Sequence, residues 1–164
     1  MSLDWTAIAT GLAAPVAVLL VKNLLDLSLG QKLVKWFHWV PVRGIFRDRP
    51  PDLSGKWEQI WGAGGSEAYA NDMDRHSYTK VRQFGRYVYA EFDSRGDGYA
   101  FFGKIRGQYI IGEWCDRADP NAYFGAAQLR IISSREMEGC YLGHSKRTSL
   151  VGSDRWDWKK HRVE

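Results

Sequence analysis

The stretch YAFFGKIRGQYIIGEWCD, residues 99–116, decides the fold. Tyr99, Phe101, Gly103 and Ile105 fall on one side of a period of two, with Lys104 and Arg106 on the other. That alternation is a half-buried strand, because successive side chains point to opposite faces. Gly107 breaks the run, and a second β-rich segment, Gln108–Asp116, follows at once. Outward from this pair the same grammar repeats: short β-rich runs punctuated by Gly, Asp, Asn and Ser. The expected strands are Ser54–Trp61, His76–Phe84, Arg86–Asp93, Tyr99–Arg106, Gln108–Asp116, Ala122–Ile132, Met137–Lys146 and Arg155–His161. Residues 94–98 and 118–121 read as brief connections, and Gly62–Arg75 is the longest. No segment here carries a helical period. Eight short strands with hairpin-sized connections in roughly 110 residues predict an all-β, up-and-down, lipocalin-like barrel, with a two-sheet sandwich as the alternative.

Alternation also predicts the inward face. It holds Trp57, Gln59 and Trp61 in the first strand, Met137, Gly139, Tyr141, Gly143 and Ser145 in the seventh, and Trp156 and Trp158 in the last. Glycine at inward positions leaves room where neighbouring backbone or a ligand approaches closely. The expected lumen is aromatic with a few neutral polar groups: Gln59, Thr79, Gln83, Tyr99, Tyr123, Tyr141 and Ser145. Barrels of this size either fill their interior or hold one small ligand.

The N-terminal part has a different character. Trp5–Val21 is an unbroken uncharged run, WTAIATGLAAPVAVLLV, at the short edge of what crosses a bilayer. Lys22 can snorkel to the headgroups, and Pro15 is tolerated in a membrane helix. A cleaved signal peptide is disfavoured by the acidic start, Met-Ser-Leu-Asp. A buried core helix and a twice-crossing hairpin compete with the single span. Residues 30–47 interleave Leu33, Val34, Trp36, Phe37 and Trp39 with Lys32, Lys35 and His38, an amphipathic pattern suited to a membrane interface or to packing on the domain. The net charge of +4 is concentrated here: residues 1–50 hold six bases and three acids, leaving +1 for the rest. So weak a surplus argues against a DNA or RNA polymer as partner. Bases following the span place the C-terminal domain in the cytoplasm by the positive-inside rule. Arg49-Pro50-Pro51-Asp52 marks the boundary between a membrane-anchoring region, 1–49, and a barrel domain, 50–164.

Chemistry is sparse. Cys115 and Cys140 have no metal-ligand spacing, and reduced thiols are expected. The four histidines are scattered, and no HExxH, GxSxG, Walker loop or GxGxxG occurs. The chain reads as a non-enzyme with no catalytic residue, metal or cofactor.

A membrane region followed by an eight-stranded cytoplasmic barrel resembles the membrane-anchored barrel effectors of bacterial cyclic-oligonucleotide antiphage signalling (CBASS), also called STING-like barrel effectors. The resemblance is carried by Leu53-Ser54-Gly55-Lys56-Trp57, Gln83-Phe84-Gly85, Gly112-Glu113-Trp114, Tyr123-Phe124-Gly125, Gly139-Cys140-Tyr141-Leu142-Gly143 and Trp156-Asp157-Trp158. It implies a receptor in the bacterial inner membrane that binds a cyclic di- or trinucleotide, oligomerises with itself and disrupts the bilayer. The residues expected to face such a ligand are Trp57, Gln59, Thr79, Gln83, Tyr99, Trp114, Tyr123, Tyr141 and Arg147, the last for phosphate. A membrane-tethered carrier of a lipid or other apolar ligand is the competing function. A barrel that only multimerises its anchor is a third.

Overall fold

In the computed structural model, which describes residues 29–64, 70–120, 123–144 and 151–161, eight antiparallel strands close into one up-and-down barrel in chain order. They are β1 (Gly55–Trp61), β2 (His76–Phe84), β3 (Tyr87–Ser94), β4 (Asp97–Arg106), β5 (Tyr109–Asp116), β6 (Phe124–Ser133), β7 (Glu136–His144) and β8 (Val151–Lys160). β8 returns to pair with β1, with Trp57 opposite Lys160, Gln59 opposite Trp158 and Trp61 opposite Trp156. Closure removes both sheet edges. The barrel is thus the expected one, and the sandwich is not formed.

Most strand ends shift by a residue or two from expectation, and two differences matter. β8 begins at Val151, not Arg155, because Gly152, Ser153 and Asp154 are held in the sheet opposite Gly143, Leu142 and Tyr141. Residues 94–98 are not a five-residue connection: Ser94 pairs with Asp97, leaving a two-residue turn. Arg95 (φ 55°) and Gly96 (φ 86°) both take the left-handed conformation, which matches the twist of a tight hairpin.

The interior is packed. Trp57, Phe101, Ile110, Leu129, Met137 and Trp158 are essentially without solvent exposure. A chain of rings runs through them, with Phe101 at 5.5 Å from Trp156 and 6.0 Å from Trp158, and the two indoles 5.2 Å apart. Each such side chain contributes about 1.5–3 kcal/mol through burial. The inward glycines serve the protein itself. Gly103 lies opposite Gly112, and Gly139 abuts the backbone of Gln128 and Leu129. A Cβ on Gly125 would stand 2.6 Å from the Trp114 indole, and Gly143 also lies against that ring.

The two ends of the barrel differ. At one end the turns are tight and the linker forms a stopper. Leu53 is fully buried there, its N–H donating to Gln83 Oε1 (2.9 Å) and its carbonyl accepting from Trp57 Nε1 (2.6 Å). Gln83 Nε2 donates to the carbonyls of Pro51 (3.0 Å) and Gly85 (2.9 Å). At the other end lie the β1–β2, β5–β6 and β7–β8 connections, the longer ones.

Outside the barrel, helix α1 (Leu29–Phe37) packs on β2 and β3. Val34 is buried against Tyr89 and Ala100, with Phe84 and Phe102 at the margin. Lys35 Nζ and Tyr89 Oη both donate to Glu91 Oε1 at 2.8 Å, and Arg82 lies 3.5 Å from Oε2. α1 is therefore a helix docked on the domain that still leaves Trp36, and Trp39 just beyond it, largely exposed. Among the described residues no helix is long and apolar enough to cross a membrane. The uncharged run at 5–21 lies outside them, as do Ser145 and Arg147.

Glu91 links α1 to the barrel, and its ionisation sets how that joint responds to acid. Burial pushes its carboxyl upward, but the hydrogen bonds from Lys35 and Tyr89 outweigh this and hold its pKa at about 2. The stabilisation is complete above the ordinary value of 4.5 and is lost as pH falls through about 2. We predict that Glu91→Gln costs roughly 1–2 kcal/mol at neutral pH. Its melting deficit relative to wild type should shrink between pH 4.5 and about 2. A deficit constant across that window would show that the carboxylate charge does not hold the joint.

Candidate functional site

Four of the nine expected ligand-facing residues meet at the loop-bearing end. Tyr99 lies near the start of β4, Trp114 near the end of β5, Tyr123 just before β6 and Tyr141 near the end of β7, so antiparallel order brings them together. Trp114 is the hub. Its ring centroid lies 5.1 Å from Tyr123, 6.1 Å from Tyr99 and 6.2 Å from Tyr141, all edge-on. Such geometry places the positive ring edge against a neighbouring π face. Trp114 and Tyr99 are buried, whereas Tyr123 and Tyr141 are half-exposed and form the rim.

The rim is fastened by specific bonds. Trp114 Nε1 donates to the Leu142 carbonyl (3.1 Å), and Tyr141 Oη donates to the Gly62 carbonyl (2.7 Å). Asp154 accepts from the N–H of Gly64 (3.0 Å). Backbone hydrogen bonds from Arg155 and Gly64 hold the Asp154 carboxyl below its usual pKa. The chain leaving β1 is thus strapped to β7 and β8 by two side chains, and Gly62 and Gly152 give it the clearance to lie there.

The other expected residues have different places. Trp57 and Gln83 belong to the stoppered end, and both are engaged with the linker backbone. Thr79 donates its hydroxyl to the Glu91 carbonyl (2.6 Å). Gln59 sits mid-barrel, where Oε1 accepts from Trp156 Nε1 (2.9 Å). Arg147 belongs to the β7–β8 connection, outside the described residues. Gln59 Nε2 and Trp158 Nε1, from directly paired residues, are buried donors with no hydrogen-bond partner. An unpaired buried donor costs about 1–3 kcal/mol, so this level of the barrel favours an acceptor atom.

Several groups near the mouth give no signal of their place in the sequence. Phe92 stacks on Tyr99 at 5.6 Å, and His144 lies 5.6 Å from Tyr123 and 5.2 Å from Phe124. His144 sits on the outward parity of β7 and reaches the rim only because Tyr123 lies just ahead of β6. Asp154 belongs to a stretch too polar to read as strand. Both cysteines are free, and burial pushes the Cys115 thiol up. Among the described residues no three potential metal ligands converge. Scans against protein-family models and against curated proteins find no match to this chain.

The strap is the testable part of this geometry. Tyr141→Phe removes one donor and leaves the Gly62 carbonyl without it, which should cost about 1 kcal/mol. Amide exchange at Gly64 should quicken more than exchange in β3 or β4. Uniform quickening would mean that Tyr141 supports the whole barrel and not the strap.

Proposed function

We propose that the protein is a membrane-tethered receptor whose barrel takes a cyclic di- or trinucleotide at the aromatic mouth, as in the CBASS barrel effectors it resembles. Binding then drives self-association of the membrane segments and disruption of the bilayer of the bacterial inner membrane. The observation that carries this reading is the polarity of the barrel. One end is stoppered by Leu53 and Gln83 and receives the chain from the N-terminal region. The opposite end gathers Tyr99, Trp114, Tyr123 and Tyr141. A base stacked on such rings gains about 1–3 kcal/mol. A nearly neutral barrel must meet phosphates with one or two placed cations, and the sequence supplies Arg147 in a connection at that end.

The tether reading draws on the opposite end. Trp36, Trp39 and Ile45 are 64%, 72% and 80% exposed, in a segment that also carries Lys32, Arg43 and Arg47. Amphipathic indoles beside cations suit a headgroup layer. The barrel would sit with its stoppered end toward the membrane and its mouth toward the cytoplasm. The competing apolar carrier needs a deep cavity, and the level of Trp57, Phe101 and Trp158 is filled by side chains.

Calorimetry on the 164-residue chain in mild detergent should reveal one cyclic di- or trinucleotide binding at micromolar concentration or below. Tyr123→Ala should weaken that binding by about 1–3 kcal/mol. Millimolar affinity across the whole panel would overturn the receptor reading. The tether makes a separate demand. Bilayer-resident quenchers should dim the fluorescence of wild type more than that of a Trp36→Ser/Trp39→Ser variant. Equal quenching would place the helix away from the headgroups.

A further inference from the structure

A further feature lies on the outer wall of the barrel, apart from the mouth. On the outward face of β1 and β2, Lys56 lies directly opposite Lys80. The next strand continues the row, because the N–H of His161, just past β8, donates to the Lys56 carbonyl (2.9 Å). Like charges directly opposed across strands destabilise a sheet. The nearest outward acids, on β1 and on the neighbouring β3, are engaged elsewhere. Glu58, the outward residue that follows Lys56, is hydrogen-bonded to His76 at 2.7 Å. Glu91 is engaged by Lys35, Tyr89 and Arg82.

The row borders a groove of about 430 Å³ lined by Lys56, Tyr78, Thr79, Lys80 and His161. The Tyr78 ring forms one wall. It is 59% exposed and held edge-on by His76 at 5.0 Å and His161 at 5.9 Å. Two opposed ammonium groups beside a rigid aromatic wall suit an oxyanion that bridges the ammoniums. We propose that this groove binds a phosphate group, with Lys56 and Lys80 as its two charge partners and Tyr78 as a wall for whatever the phosphate carries. A lysine serves such a site as a point charge with freely directed donors. The groove lies toward the stoppered end, so a phospholipid headgroup and a soluble phosphate compound both offer the required chemistry.

The test uses the 164-residue chain in detergent micelles, titrated with inorganic phosphate against chloride at constant ionic strength. Amide shifts should move at Lys56, Tyr78, Lys80 and His161 and leave the mouth residues Tyr99 and Tyr123 still. Lys56→Gln/Lys80→Gln should weaken phosphate binding about ten-fold or more. In chloride the same variant should melt no lower than wild type, because it removes a repulsion. Failure of the four amides to respond, or an equal response in the variant, overturns the site. The source is read by repeating the titration in vesicles of phosphatidylcholine alone and with about 30% phosphatidylglycerol. Shifts suppressed by the anionic lipid identify a headgroup, and shifts that persist identify a soluble phosphate. Neither arm depends on a cyclic nucleotide, so the outcome is independent of the receptor reading.

Discussion

The pairing of β8 with β1 is the contact on which the rest of the molecule depends. Across that seam Trp57, Gln59 and Trp61 face Lys160, Trp158 and Trp156, and the hydrogen bond from Trp156 Nε1 to Gln59 Oε1 spans it inside the barrel. An open seam would leave two unpaired edges and present large indoles to water, both of which favour association with other chains. With the seam shut, the indoles become the interior filling.

Closure also makes the two ends unequal. An up-and-down barrel with an even number of strands brings its entry and exit to the same end, and here that end is occupied by Pro51, Leu53 and Gln83. The long connections are left to the other end, where the half-exposed Tyr123 and Tyr141 join the buried Tyr99 and Trp114. The binding function proposed above is placed there, since loops carry variable chemistry on a rigid wall. The outer wall is a third environment. α1 covers β2 and β3 through Val34 and the Lys35–Glu91–Tyr89 cluster, while the neighbouring face of β1 and β2 stays open with Lys56 and Lys80 side by side.

How much of this was legible in the residues depends on the period. All eight strands could be read as short β-rich runs between turn residues, and alternation marks the inward side in strands such as β1 and β4, through Trp57/Gln59 and Phe101/Ile105. The start of β8 could not, because Gly152, Ser153 and Asp154 have no strand preference and are held by β7. The inward set was read with few errors of side, yet a face is not a site. Parity alone cannot say that Gln83 turns to the linker while Tyr123 turns to Trp114. Those two residues belong to opposite ends, a distinction that appears only once antiparallel order is laid out. His144, outward by the parity of its strand, still reaches the rim.

Local preference and alternation thus settled the class, the strand number and which side chains face in, since each rests on neighbours one or two residues apart. Tertiary structure alone decided that the inward glycines make space for Trp114 and neighbouring backbone, that one end is sealed, and that Glu91 joins a helix to the wall. It also decided that Lys56 and Lys80 share a row. The physical reason is one of range. A strand is specified by the chain around it, whereas burial, pairing of charges and the fit of a ring depend on residues dozens of positions away, brought near only by closure of the barrel.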